Sequence, residues 1–460
     1  MQSTARTNAS GLSWLGGAWL HMSPPARRGR LLTARSVFLF ALLWAVSSWT
    51  LILKALPPAP PNPVRPQQNR VGARSLEADA DEPHPKQQDL PVPTTSYIYP
   101  LHATKGTHHA YLYIGSPPQR QTLIVDTGSR LTAFPCQPHC PNCGKHTSKQ
   151  FHLDKSSSYE VMSCSSCLLS KTNSCYNEKC EIEQSYTEGS SWKAFEVKDK
   201  VWLGNEDENT SVQEHHSHAV PFAFGCQVAE EGLFKEQYAD GIIGLSMYTQ
   251  TLAGTFHQYN SIPHESFSLC FNKVGGYLAL GGAVQNHMAP MQFTPFAKKN
   301  TWYYSVTVNS VYVGSHKLPG VFMQYMNDFK GTIIDSGTTD TFLPLKIAKP
   351  FVKAWEGISG RTYSNNLQLY TYEEFRKLPT ITFELVGGLR WEVEPLNYME
   401  DVSDNTRLSL APFHGKRGFI SRMYVNEPKG AVLGSNAMMN HEIYFDIANR
   451  RMGVAKASCT

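Results

Sequence analysis

Apolar positions fall into two textures along the chain. Residues 36–53 form an uncharged, largely apolar run of 18. As a helix the run would be about 27 Å long at ~1.5 Å per residue, near the lower limit for spanning a bilayer. Arg27, Arg28, Arg30 and Arg35 stand just before it. That placement keeps the N-terminus cytosolic and sends the rest of the chain into the lumen. The competing reading is a cleaved signal peptide, cut near Ala45-Val46-Ser47. The long basic leader and the continuing apolar stretch favour an uncleaved anchor, a preference that a start at Met22 would weaken.

Beyond the anchor the pattern changes twice. Pro57 to Pro93 is proline-rich and interrupted by the acidic run Glu77-Ala-Asp-Ala-Asp-Glu82, which reads as an extended linker or pro-segment. From Tyr97 onward, short β-branched and aromatic runs alternate with Gly, Pro and Asn. Tyr111–Ile114, Thr122–Val125, Trp302–Val308 and Val311–Val313 are examples. Sustained helical periodicity is absent, and only short helices are expected, near Ile347–Trp355 and Tyr372–Lys377. The body is predicted to be mainly β.

One pattern occurs twice in that body. Ile124-Val125-Asp126-Thr127-Gly128-Ser129 and Ile333-Ile334-Asp335-Ser336-Gly337-Thr338 each run an apolar strand into an acid, a hydroxyl, a glycine and a second hydroxyl. A single copy would pass for an ordinary strand-ending turn. Two copies, with Asp240-Gly-Ile-Ile-Gly244-Leu245 and Ala431-Val-Leu-Gly434-Ser435 repeating in the same halves, point to a duplicated lobe. Two carboxylates brought together cannot both ionise cheaply, so they share a proton and titrate as a unit. One can then take a proton from water while the other donates to a carbonyl oxygen. Water attacks an amide directly in such a site, with no serine or cysteine nucleophile.

These motifs resemble the pepsin family, and the resemblance covers roughly residues 96–460. Tyr111-x-x-Ile-Gly-Ser-Pro117-Pro118-Gln119 leading into Asp126 is the family's opening segment. The resemblance implies a bilobal fold of pseudo-two-fold related lobes with a cleft between them, and Asp126 and Asp335 as catalytic dyad. Ser129 and Thr338 would bond the outer oxygens, Thr127 and Ser336 would brace the two loops, and Gly128 and Gly337 would let the backbone approach. Gly244 and Gly434 would thread behind each aspartate. Tyr186, Glu188 and Gly189 would lie in a β-hairpin flap over the substrate. One departure is Ala133, where the family usually carries a tryptophan bonded to the flap tyrosine. Another is a cysteine-rich insertion like that of the nepenthesin-like branch. Phe134-Pro135-Cys136 and Tyr186-x-Glu-Gly-Ser190 look most like plasmepsin V-like export proteases. In that subgroup the glutamate matching Glu188 faces an arginine of the substrate, which implies a preference for Arg-x-Leu sites. Arg74-Ser75-Leu76 in the linker would itself be such a site.

The implied division is a cytosolic leader at 1–35, anchor at 36–53, linker at 54–95, N-terminal lobe at 96–293 and C-terminal lobe at 294–460. Cysteine usage agrees with a lumenal body. Seven of the ten cysteines lie between Cys136 and Cys180, and in an oxidising lumen they read as disulfides rather than zinc ligands. Cys226 would join those seven, in any of 105 arrangements, leaving Cys270 to pair with Cys459. Asn209-Thr210-Ser211 is a glycosylation sequon, whereas Asn8-Ala9-Ser10 would be cytosolic. Residues 1–54 hold six basic residues and no acid, leaving 36 basic against 38 acidic residues elsewhere. Nothing in that balance points to nucleic acid. No metal or cofactor is expected, and His215-His216-x-His218 reads as a solvated turn. The sequence therefore predicts a monomeric, membrane-tethered aspartic endopeptidase of the secretory pathway acting on lumenal polypeptides. Its rivals are a degradative protease of acid vacuoles and a catalytically silent pepsin-fold binding protein.

Overall fold

The computed structural model describes residues 91–95, 97–104, 106–170, 174–207, 218–299, 302–403 and 415–460. The apolar run 36–53, the linker site Arg74–Leu76, both sequons, His215 and His216 lie outside them. Among the described residues no helix is long and apolar enough to cross a membrane.

Sixteen strands join in one continuous sheet. Near its middle, Tyr97–Thr104 runs antiparallel to Gly275–Leu280 on one side and to Thr107–Ile114 on the other. Beyond Gly275–Leu280 come Ser266–Asn272, His441–Asp446 and Arg451–Lys456. Strands from the end of the chain are thus stitched to the first half. Phe267 stacks on Phe445 at 4.7 Å, and Tyr304 leans on Phe445 at 4.6 Å. Full burial of each such ring is worth roughly 1.5–3 kcal/mol. The disulfide Cys270–Cys459 ties the same sheet to the C-terminus.

Two strands end at the repeated aspartates. Gln119–Asp126 is buried on both faces from Gln121 onward, which is why its sequence reads as a continuous apolar run. Its parallel neighbour Gly241–Gly244 sets Gly244 opposite Asp126. In the second half, Thr332–Ile334 lies parallel to Ala431–Leu433 within a five-stranded sheet. The same unit is therefore built twice, giving a mainly β, bilobal molecule.

Among the described residues helices are few and short. Ala348–Ser359 ends at Gly360, whose φ of +66° supplies the left-handed cap. Tyr372–Phe375 starts from a Thr371–Glu374 capping box. The run Trp302–Val308 is less regular than its composition predicts, with strands only at Ser305–Val306 and Val308–Val313. Trp302 and Tyr303 precede the strand, at the lobe junction, where Met247 N–H donates to Trp302 O.

Four more disulfides shape the first lobe: Cys136–Cys226, Cys140–Cys143, Cys164–Cys175 and Cys167–Cys180. Within the insertion, the buried Glu196 carboxylate accepts the amides of Leu168, Leu169 and Ser170. Cys167, Cys180 and Glu196 are the one metal-like cluster among the described residues. Its sulfurs are bonded to each other and its carboxylate is engaged by amides, so it is a structural anchor.

Candidate active site

Asp126 and Asp335 meet where the two repeated units touch. Each sits at or just past the end of its strand, and a small loop turns its carboxylate back toward the other lobe. Gly128 N–H donates to Asp126 Oδ1 at 2.8 Å, and Gly337 N–H to Asp335 Oδ1 at 3.0 Å. The loops also hold each other. Thr127 N–H donates to Ser336 Oγ at 3.0 Å, and Ser336 N–H to Thr127 Oγ1 at 2.9 Å. Each hydroxyl then donates across the junction, Thr127 to Ile334 O at 2.9 Å and Ser336 to Val125 O at 2.8 Å. Four buried bonds thus fix one aspartate relative to the other.

The glycines are required by contact. A Cβ at Gly128 would overlap the Asp335 carboxylate, and one at Gly337 would overlap that of Asp126. Gly244 and Gly434 play the same part behind the loops, where a Cβ would strike the backbone of Leu131 and of Asp340 respectively.

Asp335 lies close enough to bear on the ionisation of Asp126. Burial first, and then the charge of Asp335, push the pKa of Asp126 well above the usual carboxylate range, against the nearby Ser129 hydroxyl and the Gly128 N–H. The surroundings are not symmetric. Thr338 Oγ1 donates to Asp335 Oδ2 at 2.7 Å, and Thr338 N–H to Oδ1 at 3.3 Å. Ser129 stands close enough to favour ionised Asp126, yet its buried Oγ makes no well-aligned bond.

A hairpin of Lys179–Ser185 and Ser191–Gly204 covers this region. At its tip Tyr186 N–H donates to Ser190 O at 2.9 Å, Gly189 N–H to Tyr186 O at 3.0 Å, and Gly189 takes φ +93°. Tyr186 is half-buried, and its phenol lies on the side of the hairpin that faces Asp126. Burial and the charge of Asp126 raise its pKa, while Trp192 and Ser129 oppose the shift. Glu188 is exposed at the tip and accepts from Ser190 Oγ. Two residues went unseen in the sequence reading of the site. Trp192 Nε1–H donates to Tyr186 Oη at 3.2 Å. Tyr303 faces the dyad, and burial followed by both aspartate charges raises its pKa. Aromatic residues in or beside strands carry no local signal that would separate these two from core residues.

An acid pair at the junction of two β lobes, Asp126 buried and Asp335 half-buried, under a hairpin flap, defines an aspartic protease architecture. Residues 109–282 match the family model described as "Xylanase inhibitor N-terminal", and residues 303–456 the one described as "Xylanase inhibitor C-terminal". The chain belongs to the pepsin-like aspartic protease family and is an aspartic-type endopeptidase of that family. It is 26% identical to aspartyl protease AED1 of Arabidopsis thaliana, over 77% of this chain and 72% of the relative. It is 32% identical to plasmepsin V of Plasmodium falciparum, over 40% of this chain and 32% of the relative. Nepenthesin-2 of Nepenthes gracilis is 28% identical over 53% of this chain and 54% of that protein. The shared part thus spans about a third of plasmepsin V and about half of nepenthesin-2.

Proposed function

We propose that the chain is a processing protease of the secretory pathway that cuts polypeptides with a water activated between Asp126 and Asp335. The observation that carries the reading is the cross-bonded contact of the two aspartate loops. Asp126, deeply buried and raised in pKa, holds the shared proton in the free enzyme. Asp335, bonded by Gly337 and Thr338, serves as the ionised base. Asp335 takes a proton from water as the water oxygen bonds to the scissile carbon, and Asp126 protonates the carbonyl oxygen. Asp335 then passes its proton to the amide nitrogen while Asp126 takes one back from a hydroxyl of the diol, so that the C–N bond breaks, the two products leave and the dyad is restored.

Glu188 supports a preference for arginine two residues before the cut bond, through a charge-assisted contact that replaces its bond to Ser190. Residues 36–53 would tether the monomer, with leader, linker and lobes divided as the sequence implies, and Asn209 glycosylated on the lumenal side. The matched family names favour a second reading, an inhibitor-like binding protein without activity. Both acid loops are complete, which favours the enzyme. Incubating purified protein with a peptide library, with and without pepstatin, separates them. Pepstatin-sensitive cleavage focused on Arg-x-Leu sites is expected. Binding without cleavage would leave the inhibitor reading, and broad cleavage with an optimum well below pH 5 the degradative one.

A further inference from the structure

We propose that Arg130, on the loop that carries Asp126, is a specificity-determining residue that takes an aspartate or glutamate side chain of the polypeptide substrate. The proposal rests on reading Asp126 and Asp335 as the reacting pair.

Arg130 directly follows Ser129 and is half-buried. Nothing in the loop requires a cation there. The repeated loop of the second lobe carries the uncharged Thr339 at the same place, directly after Thr338. The Arg130 guanidinium lies over the Tyr248 ring, 5.5 Å from its centroid. That contact attracts the charge but gives the N–H groups no oxygen to bond. Among the described residues Arg130 forms no ion pair and no side-chain hydrogen bond. Arg361, Arg390, Arg417, Arg422 and Arg451, in contrast, each hold a carboxylate of the same chain. A partly desolvated cation without a partner is one that an incoming carboxylate can satisfy.

The surroundings of Arg130 lead to the dyad. Ser246 N–H donates to Ser129 O at 3.0 Å, and Met247 N–H to Trp302 O at 3.0 Å. Residues 246–248 thus bridge the first aspartate loop to Trp302 and Tyr303. Tyr303 faces the dyad, while Trp302 is 44% and Tyr248 41% exposed. Arg130 therefore stands at the open edge of the site, beside aromatic rings, with its donors unused. The four residues from Asp126 to Arg130 span at most about 14 Å, and an extended substrate rises ~3.3 Å per residue. The acid that Arg130 reads thus lies within about four residues of the cut bond. A planar guanidinium fork selects Asp or Glu over neutral Asn or Gln through two charge-assisted bonds.

The test uses end-blocked peptides cut at one bond, with Glu or Gln placed in turn at each of the four positions on either side. At one position native protein should cut the Glu peptide with a kcat/KM roughly threefold to tenfold higher, the size of one partly solvated charge-assisted bond. Arg130→Gln should bring that ratio to about one. Arg130→Glu should instead prefer Lys over Gln at the same position. A residue that merely packs on Tyr248 would, when replaced, slow all peptides alike and leave the ratio as it was. That outcome, or a native ratio near one at every position, would overturn the proposal. The same peptides with the cut amide reduced test binding without turnover. Kd should favour Glu by a similar factor in native protein and not in Arg130→Gln, and equal Kd values would overturn the proposal. Native protein that binds the Glu peptide selectively yet cleaves nothing would uphold the Arg130 contact and defeat the functional reading instead.

Discussion

The Asp126 and Asp335 loops match bond for bond through the aspartate, the hydroxyl and the glycine, and then diverge. In the second lobe Thr338 grips the outer oxygen of Asp335 at 2.7 Å. In the first, Ser129 makes no such bond, and Asp126 is 4% exposed beneath the flap tyrosine. Five residues past each aspartate the chain places Leu131, buried in an apolar cluster, and Asp340, whose pKa burial pushes up to about 6 despite Arg422. The shared part brings the acids together; the part that differs gives each a different set of hydrogen-bond partners.

The largest effect should come from breaking the shared part. Gly337→Ala or Gly128→Ala places a methyl group on the opposite carboxylate. Activity should fall at least 100-fold, on the order of 3 kcal/mol or more in the barrier, while the protein still folds. Activity within tenfold of native would show that the acids need not approach so closely.

Next comes the flap charge of the first lobe, proposed to read the substrate. Glu188→Gln should reduce kcat/KM for an Arg-containing peptide by roughly 30- to 150-fold, or about 2–3 kcal/mol. The norleucine analogue should hardly change. Equal losses on both peptides would reduce Glu188 to a general part of the flap, and no loss would remove it from recognition.

The divergent hydroxyls allow a direct contrast. Thr338→Ala should cost roughly tenfold in kcat, as loss of a charge-assisted bond does. Ser129→Ala should cost less, because its bond is not formed in the free enzyme. A reversed order would exchange the roles assigned to the two acids.

What the sequence disclosed follows the same division. Asp126-Thr-Gly-Ser and Asp335-Ser-Gly-Thr were legible because a tight loop under steric constraint demands the same residue types twice. The pairing of eight cysteines was not legible, because strand register and loop path choose among the arrangements. Trp192 was hidden for a similar reason: its bond to Tyr186 depends on the register of the flap hairpin. Glu188 was visible as an unexpected charge in a flap, but its bond to Ser190 was not.

The smallest effect concerns a buried pair beside the insertion. His146 Nε2 meets Glu230 Oε2 at 3.1 Å, and Gly144 N–H donates to the same oxygen at 3.0 Å. Burial alone would lower the pKa of His146, but Glu230, Gln237 O and Asp240 together raise it. A raised histidine contributes stability that is complete below its unfolded pKa of about 6.5 and lost as pH rises through the folded value. Tm should therefore decline across that window. Glu230→Gln should flatten this decline. A native Tm that rises through the window would contradict the assignment.

The most direct test of the acid pair is a cleavage assay on native protein, Asp126→Asn and Asp335→Asn at equal concentration, with folding of each checked by thermal melts. Asparagine keeps the shape of each side chain but cannot share or accept the proton. Both variants should be folded and retain less than about 1% of native kcat/KM, a barrier increase of at least about 2.7 kcal/mol. Asp126→Asn should also melt higher than native at neutral pH. Its carboxyl has a raised folded pKa, so ionising it costs stability that appears as pH climbs from about 3.9 through that value. A folded variant of either kind that keeps more than a few per cent of native activity would contradict catalysis by Asp126 and Asp335.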